Sequence, residues 1–176
     1  PISTLFPYTT LFRSSMKHPL WNARSEKVFS SGLYKRLAKS RRCVVLATGW
    51  YEWREVPGRK TGDPYNFCMK DHSIMMLAGL WTTRYLEKEV GEDNFTIITT
   101  DPNTMAAKFH DRMPAILNSS QAKAWLDPEY KDLKKLEGFL GPYKGRDLMN
   151  YQVGPAVNKV KNIGKECLEP FGGTGG

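Results

Sequence analysis

Three short stretches, far apart in the chain, hold residue types that can do chemistry together: Asn22-Ala23-Arg24-Ser25-Glu26, Gly49-Trp50-Tyr51-Glu52-Trp53 and Phe109-His110-Asp111-Arg112-Met113-Pro114. Brought to one pocket they supply an amide, a carboxylate and an imidazole, a set that hydrogen-bonds a polar substrate and moves protons on and off it. Glu52 is flanked by Trp50, Tyr51 and Trp53, and partial desolvation by indole rings lifts a carboxyl toward the range useful for acid-base work. The local pattern alone favours the other reading, a glutamate exposed on an alternating strand. His110 is likewise open to two readings, and by itself a helix-terminal histidine bonded to the last carbonyls is the stronger. Arg112 can contact a phosphate or pair with Asp111 or another nearby carboxylate, and local sequence does not separate the two.

Elements that could position these groups are legible from pattern. Ser30 and Ser31 are candidate caps for a short helix over residues 32–39, with Leu33 and Leu37 four apart on one face. Residues 42–47, rich in Val and Leu, read as a buried strand, and the aromatic stretch 49–55 as extended chain. Pro57-Gly58 and the run Thr61-Gly62-Asp63-Pro64 mark a turn or hairpin loop. Further strands are expected over 65–69, 74–82, 95–100 and 148–153. Asp101-Pro102 has the form of a cap and a first-turn proline, which predicts a helix to about Phe109 and places His110 at its end. Ser119 or Ser120 caps another helix, and residues 132–139 offer a third. Short strands interleaved irregularly with short helices predict a mixed α+β domain. No GxGxxG or GxxxxGK[ST] motif is present.

The chain has 176 residues, two-fifths of them hydrophobic, enough for one domain with a real core. Its 26 Lys and Arg outnumber 18 Asp and Glu, for a formal charge of +8, which favours anionic partners such as nucleic acid without requiring them. Cys43, Cys68 and Cys167 are widely spaced, as are His18, His72 and His110, so neither a disulfide framework nor a metal site is expected. Cys43, in an apolar run, reads as a buried, inert thiol. No apolar span or secretory leader is found, and a cytoplasmic location with no membrane partner is the expectation. Residues 4–14 read as the in-frame translation of a common sequencing adaptor, so residues 1–14 are treated as a non-native leader, residues 15–171 as the domain and the Gly-rich residues 172–176 as a flexible tail.

Taken in order, Asn-Ala-Arg-Ser-Glu, then Arg-Arg-Cys with Gly-Trp-Tyr-Glu-Trp, then a Thr-Thr pair and His-Asp-Arg-Met-Pro, the chain resembles the SOS response-associated peptidase (SRAP) family from about Trp21 to Pro170. Three motifs in the right order are far more specific than one. The resemblance implies a mainly antiparallel, barrel-like core with short peripheral helices, and a monomer without metal or small-molecule cofactor. It implies a sensor of abasic sites in single-stranded DNA with self-processing peptidase activity, working through an N-terminal cysteine whose amine and thiol close a thiazolidine on the opened sugar. By motif, Asn22, Glu52 and His110 match the catalytic residues, and Arg24, Trp53 and Arg112 match positions on the DNA-binding surface. The Met-Cys-Gly-Arg opening of the family is not found, so this polypeptide is expected to be an N-terminally truncated form, unable to make the thiazolidine and exposing some core surface. The alternative is a module that holds single-stranded or modified DNA without covalent capture; a general protease ranks last, because no Ser-His-Asp or Cys-His arrangement can be argued.

Overall fold

The period-two alternation of the strands sends successive side chains to opposite faces, and in this protein both faces of each sheet are covered. The computed structural model describes residues 21–86 and 89–172. The expected leader at 1–14, and the expected tail beyond Gly172, lie outside the described residues. One sheet contains β1 (Asn22–Arg24), β2 (Arg42–Ala47), β5 (Met75–Leu86) and β6 (Glu89–Thr100) in the order β1-β6-β5-β2, with β7 (Met113–Pro114) added to β6 and β8 (Ile116–Leu117) to β5. A second sheet has the order β3-β4-β9, from β3 (Trp50–Arg54), β4 (Asp63–Met69) and β9 (Leu148–Gln152). All these pairings are antiparallel except β1 with β6.

Three apolar clusters follow from the alternation. Leu77 of β5 and Ile97 of β6 point between the sheets, where they meet Trp50 and Phe67 of the second sheet. Their neighbours Ala78 and Ile98 point the other way, into a layer of helices. Those helices are α1 (Ser25–Val28), α2 (Gly32–Ser40), α3 (Ser119–Leu126) and α4 (Leu133–Gly138). The outer face of the second sheet carries Tyr51 and Val153, covered by Val157 and Cys167 from two C-terminal 3-10 turns. The α+β expectation holds, but the two sheets do not close into a barrel: among the described residues, β2 and β3 are not paired with each other. The chain crosses between them through Thr48 and Gly49, and a side chain at Gly49 would sit 2.6 Å from Asn66 Oδ1 and 2.7 Å from the Phe67 carbonyl oxygen.

Polar anchors fix the helical layer. Ser31 caps α2 by accepting from the Tyr34 amide, as expected. The cap of α3 is Asn118, not Ser119 or Ser120, because Asn118 and Gln121 form a reciprocal capping box that satisfies two first-turn donors at once. Arg42, buried, donates to the carbonyls of Ala38, Lys39, Trp125 and Asp127, tying the last turns of α2 and α3 to the edge strand. Carbonyls at helix ends lack intrahelical partners and carry partial negative charge, so a guanidinium there is stabilising. The helix expected over 101–109 shrinks to a 3-10 turn at Ala106–Lys108. Asn103 Oδ1 accepts from the Met105 and Ala106 amides, at 3.2 and 2.9 Å, and so starts the turn later. No described helix is long and apolar enough to cross a membrane.

Candidate active site

The space between the two sheets opens at one end into a cavity of about 280 Å³, lined by Asn22, Arg24, Glu52, Thr99, His110, Arg112 and Met113. The strand registers explain the convergence. Ala23 is buried among the helices, so its neighbours Asn22 and Arg24 face the opposite side of β1, level with Ile97 and Thr99 of β6. Glu52 lies two residues after Trp50 and therefore shares its face, toward the inter-sheet space. His110 ends the 3-10 turn, its amide donating to the Ala106 carbonyl at 3.0 Å. Its neighbour Phe109 pins the loop by packing edge-on against Tyr65 and Phe67 of β4, with ring centroids 4.8 and 5.0 Å apart.

Glu52 is 8% exposed, so the exposed-strand reading is overturned. Burial holds its carboxyl above the usual carboxylate range, against the lowering pull of the His110 imidazole. A buried carboxyl of this kind keeps its proton to higher pH than a surface one. The His110 side chain is 53% exposed and its Nδ1 accepts the Arg112 amide at 3.0 Å. In the neutral ring that bond puts the proton on Nε2. Protonation of Nδ1 forfeits it and favours Asp111 Oδ1, also 3.0 Å away. The imidazole thus has a partner in either state, which suits a group that gains and loses a proton.

The cationic side of the cavity is uneven. Arg24 is exposed, with no ion-pair or hydrogen-bond partner for its side chain among the described residues. Arg112 pairs with Glu26 and Asp101, not with Asp111, so the carboxylate reading of its local sequence describes its state in this structure. Trp53 is not brought to the cavity. One residue from Glu52, it faces the other side of the sheet, packs with the Tyr51–Val157 cluster and donates Nε1–H to Asn158 Oδ1 at 2.7 Å. Thr99 and Met113 were legible only as parts of motifs; the alternation from Ile97 was the signal that Thr99 faces the site. The pairing of Glu26 with Arg112, 86 residues apart, had no local signal. The thiols lie elsewhere: Cys43 is half-buried, not buried as expected, though desolvation still pushes its thiol up to about 11, and neither it nor the buried Cys68 and Cys167 lines the cavity.

Known proteins share this arrangement of sequence and fold. The chain is 34% identical over 148 residues to the abasic site processing protein YoqW of Bacillus subtilis, covering 84% of this chain and 66% of that protein. It is 28% identical to the abasic site processing protein YedK of Escherichia coli, over 88% of this chain and 68% of the relative, and 31% identical to the abasic site processing protein HMCES of Gallus gallus, over 90% and 52%. The chain therefore spans about two thirds or less of these relatives' lengths. Among solved structures, a protein of Bacteroides thetaiotaomicron superposes with a TM-score of 0.74 at 26% identity, over 83% of this chain and 64% of that one. A protein of Bordetella bronchiseptica shares the fold with a TM-score of 0.67, over 78% of this chain and 67% of that one. The family model described as SOS response associated peptidase (SRAP) matches residues 4–160, beginning inside the segment read above as a leader and taking in all three motifs. With the motifs in order, their side chains on one cavity and the family model spanning most of its length, the chain belongs to the SRAP family.

Proposed function

We propose that the full-length protein captures abasic sites in single-stranded DNA covalently, in the cavity between the sheets. The observation that carries this reading is the meeting of Asn22, Glu52 and His110 on one cavity beside Arg24, whose side chain has no partner among the described residues. An abasic sugar is in equilibrium between a closed hemiacetal and an open aldehyde, and opening needs one proton moved from the ring hydroxyl and another delivered to the ring oxygen. His110, exposed at the mouth and partnered in both protonation states, performs that exchange. The α-amine of an N-terminal cysteine, which none of Cys43, Cys68 and Cys167 supplies, then adds to the aldehyde and water leaves as the imine forms. Glu52 takes the proton from the ammonium and donates it to the departing hydroxyl. The cysteine sulfur adds to the C=N carbon, its proton passes to nitrogen, and a thiazolidine results. The Asn22 amide hydrogen-bonds the sugar hydroxyl or the new ring, and Arg24 holds a flanking phosphate.

The same cysteine amine is freed when the initiator methionine is removed, which is the self-processing step of this reading. The experiment joins a Met-Cys-Gly N-terminus to the chain and incubates the product with single-stranded DNA carrying an abasic site. A heat-stable adduct that disappears when that cysteine is replaced by alanine is the expected result; no adduct counts against the proposal. A second reading, noncovalent holding of single strands, draws on the exposed Arg24 and the charge of +8. It predicts salt-sensitive retention that survives Glu52→Gln and His110→Gln.

A further inference from the structure

The bond between Arg112 and Glu26 joins the first motif to the third and takes no part in the acid-base chemistry above. The Arg112 side chain is 11% exposed, and its Nη2 and Nη1 donate to Glu26 Oε2 and Oε1 at 2.9 and 3.2 Å. This two-toothed geometry is also the one a guanidinium offers a phosphate. Nη1 donates further to Asp101 Oδ1 at 3.1 Å, and Nη2 to the Thr99 carbonyl at 2.5 Å. Nε is buried with no hydrogen-bond partner among the described residues. The Thr99 carbonyl belongs to β6 and holds the guanidinium in place whatever else binds it. Its carboxylate partners are held less firmly: the Glu26 side chain is 48% exposed on the four-residue α1, and that of Asp101 is 83% exposed. A buried, fixed cation therefore carries solvent-accessible, displaceable anions.

We infer that Glu26 is a resident counter-ion for Arg112, occupying the position of a strand phosphate, and that it weakens binding of intact single-stranded DNA. The inference rests on the reading of the cavity as a single-strand site and adds a selectivity determinant to it. A free arginine gains a phosphate and releases condensed counterions into solution. Arg112 instead exchanges one anion for another, so its net gain and its share of the salt dependence are both reduced. Arg24, without such a partner among the described residues, contributes in full. Backbone contacts alone then hold an undamaged strand weakly, and the chemistry at the lesion decides retention.

The test measures anisotropy of a fluorescein-labelled oligothymidylate, which has no lesion, with the full-length protein over a salt series. Glu26→Gln, which keeps the side-chain shape and one of the two acceptor oxygens while removing the charge, is expected to tighten binding about two- to fivefold, the range of a partly exposed ion pair. The slope of log K against log salt should steepen by about 0.7, one further single-strand phosphate contact. Glu26→Asp, keeping the charge, retains the weaker binding, and the gain vanishes in Glu26→Gln/Arg112→Gln. Weaker binding by Glu26→Gln overturns the inference, since Glu26 then only holds Arg112 in place; an equal gain with and without Arg112 overturns it as a general charge effect. Salt-sensitive, Arg24-dependent binding by the parent protein with no gain from Glu26→Gln defeats the counter-ion role alone. A parent protein with no salt-sensitive affinity for the strand defeats the single-strand reading itself, and the inference with it.

Discussion

Gly49 offers a direct test of how the fold aims Glu52. The residue is the last before β3, and a methyl group there would stand 2.6 Å from Asn66 Oδ1 and 2.7 Å from the Phe67 carbonyl oxygen. Ordinary contact begins near 3.4 Å, so Gly49→Ala forces β3 and β4 apart by about 0.8 Å at that end. One of the two obstacles is backbone, which cannot rotate away. Overpacking of this kind costs about 1–3 kcal/mol, and a shift approaching 1 Å of a catalytic group lowers rate by up to roughly 10²-fold. The assay pairs urea denaturation with the rate of adduct formation by the full-length protein on an abasic strand. Gly79→Ala is the comparison: its nearest atom is Cys43 Sγ at 2.9 Å, a side chain able to turn, its nearest backbone atom is the Thr96 carbonyl oxygen at 3.1 Å, which need give by only a few tenths of an ångström, and Gly79 does not line the cavity. We expect it to cost about 1 kcal/mol with an unchanged adduct rate. A Gly49→Ala protein with the parent's midpoint and rate refutes the argument, and so does a Gly79→Ala protein that loses rate in the same proportion.

Further expectations concern single groups. Glu52 has its pKa raised by folding, so its charged form costs stability as pH climbs above its ordinary value of 4.5. Glu52→Gln should therefore melt higher than the parent at neutral and alkaline pH, match it in acid below that value, and lose roughly 10²- to 10⁴-fold in adduct rate; an unchanged or lower melting temperature at neutral pH contradicts the desolvation account. Arg24→Gln should weaken binding to every single strand alike and flatten the salt slope by about 0.7, as read by anisotropy; a slope equal to the parent's removes Arg24 from the phosphate path. Trp53→Phe loses the bond to Asn158 and about 1 kcal/mol of stability while keeping the adduct rate; a large fall in rate shows that the ring reaches DNA after all.

Much of the fold was readable because it rests on local rules. The run Arg42–Ala47 forms a strand with the bounds its Val and Leu content suggests, and Ser31 caps α2 as its position before the apolar residues requires. Where two local rules compete, reading residue by residue failed. Asn118 outbids Ser119 and Ser120 as the cap of α3 because only it forms the reciprocal bond with Gln121. Asn103 shortens the element after Pro102 by taking the amides of Met105 and Ala106. Neither choice can be made from residue preference alone, since each depends on which side chain finds its donor.

The three motifs in order, through the family they resemble, named Asn22, Glu52 and His110, where the local pattern alone favoured an exposed glutamate and a helix-terminal histidine. Their meeting on one cavity, the burial that raises the Glu52 pKa, and the side of the sheet each residue faces came only from the tertiary structure. Adjacent residues on a strand diverge, so Trp53 leaves the site that Glu52 enters. Residues 86 apart converge, so the guanidinium of Arg112 finds its carboxylate partner in Glu26. Chemical identity is a property of the residue; proximity, desolvation and direction are properties of packing, and composition and spacing do not encode them.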